Sequence, residues 1–406
     1  MPIERFAVVA VLGALAALAS MALEARGADG QDADAANVRL RGSLDNCRIQ
    51  FEQGGKGHVA FIGGSITEMN GYRPLVCKIL QRRFPKTEFT FTDAGIASTC
   101  STTGAFRLAS DVLSKGPVDL LFIEFAVNDD QDAHHAAREC IRGMEGIVRQ
   151  TLKHNPAADI VITYFVNPEM LAAIQKGTTP VPVAAHEEVA RHYGISTIYL
   201  AREVAQRIAA GTMTWEKFGG THPGPAGNEL CASMIDELMT AAWKAPLTAL
   251  AKKAPHPLPA KPLDELSYER GRFLDPKTAQ AGAGWQLAVP DWKAIKGGFR
   301  DRFAGLPLWC ADKGGAELTL PFTGTAVGAY VLAGPDAGIV EAGIDGGPPQ
   351  PCDLFHGFSR GLHYPRTVMF ATDLKPGPHT LKLRLSEKKN DASTGTAARV
   401  LQFVAN

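Results

Sequence analysis

The sequence predicts two domains: an α/β domain built on a parallel sheet, then an all-β, jelly-roll-like sandwich. Three observations carry this reading. A chain of 406 residues exceeds what one core usually holds. Between about residues 58 and 200, short β-branched runs alternate with helical patterns. Beyond a proline-rich stretch the hydrophobic period changes to two. The expected boundaries are a signal peptide at 1–28, the α/β domain at 38–245, a linker at 246–264 and the sandwich at 265–406.

The chain opens with an apolar run at 6–23 behind Arg5, followed by small residues and then Arg26-Gly27-Ala28. That pattern is a secretory signal cleaved near 22–28, which places the mature protein in a secreted or periplasmic compartment. Five apolar runs follow, at 59–62, 89–92, 120–123, 160–163 and 197–200. Amphipathic stretches separate them, as in Leu75, Val76, Ile79 and Leu80, so the strands should be parallel and covered on both faces. Pro246, Pro255, Pro257, Pro259 and Pro262 mark the linker. In the last segment Leu318, Leu320 and Phe322, and Leu381, Leu383 and Leu385, occupy alternate positions, with turns at Asp345-Gly346-Gly347 and Lys375-Pro376-Gly377.

Composition narrows the function. Forty-two basic residues balance 42 acidic ones, which argues against a nucleic-acid partner, and no later segment is apolar enough to anchor the mature form in a membrane. The seven cysteines lack a CxxC spacing, and Cys77, Cys140 and Cys231 fall in apolar helical patterns as small buried hydrophobes. His186 and His192 stand six apart where one helical face needs four, and His134-His135 point to different faces, so no metal and no cofactor is expected.

Chemistry gathers where the strands end. Gly63-Gly64-Ser65-Ile66-Thr67 follows the first run, Asp93-Ala94-Gly95 the second, and Phe125-Ala126-Val127-Asn128-Asp129 the third, while Thr221-His222-Pro223-Gly224 precedes a late helix. A hydroxyl needs a base to become a nucleophile, and an acyl intermediate needs donors aimed at its oxyanion; Ser65, His222, Gly95 and Asn128 offer both. Asp129 is expected to cap a helix or pack.

In this order and spacing the four blocks resemble the SGNH (GDSL-like) hydrolase superfamily over residues 55–243. The resemblance implies a flavodoxin-like three-layer fold. It further implies Ser65 as nucleophile, His222 as base, and an oxyanion hole made by the Ser65 and Gly95 amides and the Asn128 side chain. Gly64 stands where the family usually has Asp, Ala126 where it has Gly, and Gly219 where it commonly has an acid three residues before the histidine. Glu216 is the nearest carboxylate, which leaves a Ser65-His222 dyad with Glu216 as candidate third member.

In the sandwich, Trp309, Asp336 and His363 are candidate sugar contacts, and the loops around Asp336 and His363 are expected to roof the cleft. A sandwich beside such a domain resembles the two-domain carbohydrate esterases, where the order is often reversed. The expected function is an exported serine esterase that removes small acyl groups, acetyl foremost, from an acylated glycan. The alternatives are a lipase or lysophospholipase, and a glycan-binding protein whose hydrolase domain is degenerate.

Overall fold

A computed structural model describes residues 36–406; the expected signal peptide lies outside the described residues. The first sheet has the order β1-β6-β5-β4-β2-β3. Its strands are β1 (Val38–Arg39), β2 (Lys56–Gly63), β3 (Glu88–Gly95), β4 (Leu120–Glu124), β5 (Asp159–Thr163) and β6 (Ser196–Ile198). β2 to β6 run parallel, and β1 closes one edge antiparallel. β4 and β5 are buried along their whole length, which is why they read as unbroken apolar runs.

Helices cover this sheet. Tyr72–Arg83 packs against Pro225–Ala242, and Ala137–His154 packs against both Ser101–Asp111 and Val181–Tyr193. β3 lies on one side of β2 and β4 on the other, so the chain reverses direction across the sheet at β2. In open α/β sheets the crevice outside the strand ends at such a reversal is where ligands bind. Ser65 and Asn128 follow the two strands that flank it.

The stretch at 246–264 lies along the first domain. Asn46 bonds Ala254 through both backbone groups, His256 meets Asp159 at 2.7 Å, and Glu145 accepts from Leu263 N at 2.7 Å.

The rest of the chain forms two antiparallel sheets. Its strands are β7 (Arg272–Phe273), β8 (Gln280–Ala281), β9 (Gln286–Ala288), β10 (Leu308–Ala311), β11 (Glu317–Gly324) and β12 (Val327–Ala333). They continue as β13 (Ile339–Ile344), β14 (Gln350–Asp353), β15 (Tyr364–Ala371), β16 (Gly377–Leu385) and β17 (Ala398–Ala405). One sheet runs β15-β12-β17-β10-β9 with β7 on β17, the other β14-β13-β16-β11-β8. Leu318 faces Leu383 and Leu320 faces Leu381 across β11 and β16, all buried in the layer between the sheets. That is the packing a period-two pattern requires.

The two regions share a continuous core, in which Tyr268, Tyr330 and Leu401 join the side chains of the first domain. Tyr268 packs on Phe106 at 4.9 Å, and Thr103 bonds Thr367 at 2.8 Å. Arg300 and Arg302 reach back to the loop after β3, bonding Ala97 O, Ser98 Oγ and Gly95 O.

Candidate active site

β2 ends at Gly63, Gly64 turns the chain, and Ser65 opens the short helix Ser65–Glu68. Close approach explains the two glycines. A Cβ on Gly63 would lie 2.2 Å from Thr67 Oγ1, and one on Gly64 would lie 1.9 Å from Asn128 Oδ1. An Asp at position 64, as the resembled family usually has, would require the Asn128 side chain to shift. Arg107, almost fully buried, donates to Gly63 O at 3.0 Å and Ala94 O at 2.6 Å, tying together the ends of β2 and β3.

His222 Nε2 lies 2.7 Å from Ser65 Oγ. The histidine sits in the loop before Pro225–Ala242, whose entry is pinned by Asn228 Nδ2 donating to Pro223 O at 2.6 Å and Gly224 O at 2.9 Å. Ser65 is half-buried and His222 exposed, so the pair faces open solvent from a fixed base. Gly219 has φ +104°, and a Cβ there would sit 1.9 Å from Gly224 N. Turn geometry thus excludes an acidic side chain at the family's usual position. Glu216 is exposed on the helix Trp215–Phe218, and among the described residues no carboxylate is within ion-pair distance of His222. The arrangement is a Ser-His pair, with Glu216 outside it.

Asn128 follows β4 and is 2% exposed. It opens a single wide turn, Asn128–Asp132, closed by Ala133 N donating to Asn128 O at 2.9 Å. Such i to i+5 turns are rare and are found frequently at functional sites. Asn128 Nδ2 donates to Asp132 Oδ2 at 2.8 Å. The Ser65 amide is first in its helix and so has no intrahelical acceptor. Gly95 departs from expectation: its N–H donates to Asp93 Oδ1 at 3.0 Å, so a local turn takes the amide that the family pattern aims at an oxyanion. Asp129 accepts from Ser101 N at 2.8 Å and Ser101 Oγ at 2.7 Å, capping the helix Ser101–Asp111.

Two groupings of metal-ligand type share that aspartate, Cys100-Asp129-His135 and Asp129-Cys140-His186. Burial alone would raise the Asp129 carboxyl, but hydrogen bonds and charge from His135 and His186 hold it well below the usual carboxylate range. Its oxygens already serve Ser101 and His186, the latter at 2.9 Å, so the carboxylate is engaged as a helix cap. All seven cysteines are free thiols.

Glu124, at the end of β4, was not singled out from sequence, although a lone acid inside an apolar run was the available signal. It is fully buried under the Ser65 turn and accepts from Thr67 Oγ1 at 3.3 Å, which in turn meets Tyr72 OH at 3.2 Å. Burial pushes its carboxyl up to about 8 from an ordinary 4.5. The native state therefore keeps a proton that the unfolded chain releases near 4.5, and stability falls as pH rises through that window. Glu124→Gln should remove this slope: from about pH 5 to about pH 9 the wild-type melting temperature drops by several degrees relative to the variant. Parallel melting curves would refute the assignment.

The three sugar-contact candidates each have a partner within the sandwich region. Asp336 forms a two-pronged ion pair with Arg399 at 2.8 and 2.7 Å. His363 is fully buried, bonded to Lys296 O at 3.0 Å and set edge-on to Trp292. Trp309 Nε1 donates to Pro276 O at 3.2 Å while its ring packs on the sandwich core. Each is engaged within its own domain, and the sandwich reaches the site through Arg300 and Arg302 and through Tyr364, the residue after His363, whose hydroxyl donates to Asp132. Arg302 pairs at 3.1 Å with Glu68, the last residue of the Ser65 helix.

Comparison with known proteins supplies the remaining findings. Residues 61–230 match the GDSL-like lipase/acylhydrolase family. No curated protein matches the chain. Among solved structures, a two-domain esterase active on acetylated mannans, crystallised alone and with mannopentaose, superposes with a TM-score of 0.72 at 21% identity. That likeness covers 91% of this chain and 96% of the other, so the two-domain fold is shared throughout. An acetylxylan esterase from Geobacillus stearothermophilus aligns with 45% of this chain and 94% of its own at 17% identity and a TM-score of 0.35.

Proposed function

We propose that this chain, whose residues 61–230 match the GDSL-like lipase/acylhydrolase family, is an exported serine esterase that removes acetyl groups from a polysaccharide. The observation that carries the reading is the 2.7 Å contact between Ser65 Oγ and His222 Nε2 at the sheet's reversal point, with the Asn128 amide buried beside the same turn. Ser65 Oγ attacks the ester carbonyl while His222 takes its proton. The Asn128 Nδ2 and Ser65 N–H groups receive the charge that develops on oxygen. As the carbon–oxygen bond to the sugar breaks, His222 returns the proton to the departing alcohol. Water, deprotonated by the same imidazole, then releases acetate from Ser65.

The glycan part of the proposal is supported by the two-domain architecture held in common with an esterase active on acetylated mannans. Acetylated mannan is accordingly the first substrate to try. The test is acetate release from acetylated mannan, acetylated xylan and long-chain acyl esters. The expected result is acetate from a polysaccharide and little turnover of the long acyl chains. Preference for long chains would replace this reading with a lipase.

A further inference from the structure

Asn128 must present its N–H side to the reacting oxygen, yet a primary amide is a donor at one end and an acceptor at the other. What fixes its direction is Asp132, four residues on in the same wide turn. Asp132 Oδ2 accepts from Asn128 Nδ2 at 2.8 Å, with Gln131 Nε2 at a longer 3.3 Å. The opposite oxygen, Oδ1, accepts the hydroxyl of Tyr364, the first residue of β15 in the sandwich. Tyr364 is held in turn by stacking on His356, with ring centres 4.6 Å apart and planes 8° from parallel. Asn128, Asp132 and Tyr364 are 2%, 8% and 2% exposed, so water does not substitute for these bonds. Asn128 Oδ1, by contrast, has no hydrogen-bond partner and rests over Gly64.

We propose that Tyr364 is a positioning residue for the esterase: the sandwich domain orients the Asn128 amide through Asp132. The proposal rests on the reading of Asn128 as an oxyanion donor. A carboxylate only accepts, so it selects the Nδ2 end of the amide and leaves the second N–H of that nitrogen for the oxyanion. The flipped amide would set Oδ1 against Asp132, two acceptors in contact, and is disfavoured. Tyr364 makes this selection durable by satisfying the other carboxylate oxygen. Without its hydroxyl, a buried carboxylate loses a charge-assisted bond and is free to turn, and the Asn128 amide loses its fixed acceptor. On this account the second domain is part of the catalytic apparatus as well as a neighbour of it.

The experiment is a double-mutant cycle on kcat with a chromogenic acetyl ester, using wild type, Tyr364→Phe, Asn128→Ala and the double variant. Tyr364→Phe should lower kcat about tenfold and leave KM within about twofold. In the Asn128→Ala background the same change should cost nothing further, because the group it positions is gone. Asp132→Asn, which keeps the shape but can donate, should lower kcat more than Tyr364→Phe and also lose its effect once Asn128 is removed. Equal fold-losses in both backgrounds, or an unchanged kcat in Tyr364→Phe, would overturn the positioning role and leave the esterase intact. Turnover that survives Ser65→Ala would instead remove the esterase reading, and this inference with it.

Discussion

Replacing Ser65 with alanine should lower kcat for acetate release by about ten-thousandfold, because it removes the atom that forms the acyl intermediate. No second hydroxyl takes its place on the turn, since Thr67 Oγ1 is turned inward to Glu124 and Tyr72. His222→Ala should cost nearly as much, and the double variant no more than either single change, since nucleophile and base act as a unit. Glu216→Gln should stay within about twofold of wild type, because its exposed carboxylate pairs with nothing at the site. Mass spectrometry of acid-quenched wild type should find the acetyl group on the peptide containing Ser65. Undiminished acetate release from Ser65→Ala would end the proposal, and a large loss in Glu216→Gln would restore that residue as a third member.

How far the site could be read in advance depended on the kind of information each part used. The parallel sheet and its reactive end were legible because buried parallel strands must be apolar throughout and their glycine-bearing turns punctuate the chain. The pairing of Ser65 with His222 was legible as a resemblance of order and spacing, and their sequence separation of 157 left no local trace of the contact. Gly219 read as a missing acid, whereas the structure makes it a left-handed turn residue packed on Gly224. Gly64 read as a mild departure, whereas it is the space that Asn128 occupies.

The sandwich was legible as a fold and misread as a surface. Period two tells which face is buried, yet it does not distinguish a loop aromatic that meets solvent from one that meets its own domain. Trp309 and His363 turned out to be of the second kind. The residues that do reach the site from that domain, Arg300, Arg302 and Tyr364, carry no motif. Their partners lie about 200 residues or more away, on Ala97, Ser98, Gly95 and Asp132. Only tertiary packing puts them there.

Asn128→Ala should lower kcat by a hundredfold to about a thousandfold, the usual cost of deleting one oxyanion donor, with a much smaller change in KM. The ground-state ester carries little charge on its carbonyl oxygen, so the donor acts chiefly on the transition state. Gly64→Ala provides an independent route to the same loss. Its added methyl would fall 1.9 Å from Asn128 Oδ1 and force the amide out of place without touching its chemistry. In the Asn128→Ala background that methyl meets no amide, so Gly64→Ala should then cost little. A Gly64→Ala penalty that persists after Asn128 is gone would mean that the glycine serves the turn alone. A small effect of Asn128→Ala itself would shift the burden of oxyanion stabilisation to the Ser65 amide. Only if the two changes mask each other does the contact between Gly64 and Asn128 account for the absence of a side chain at position 64.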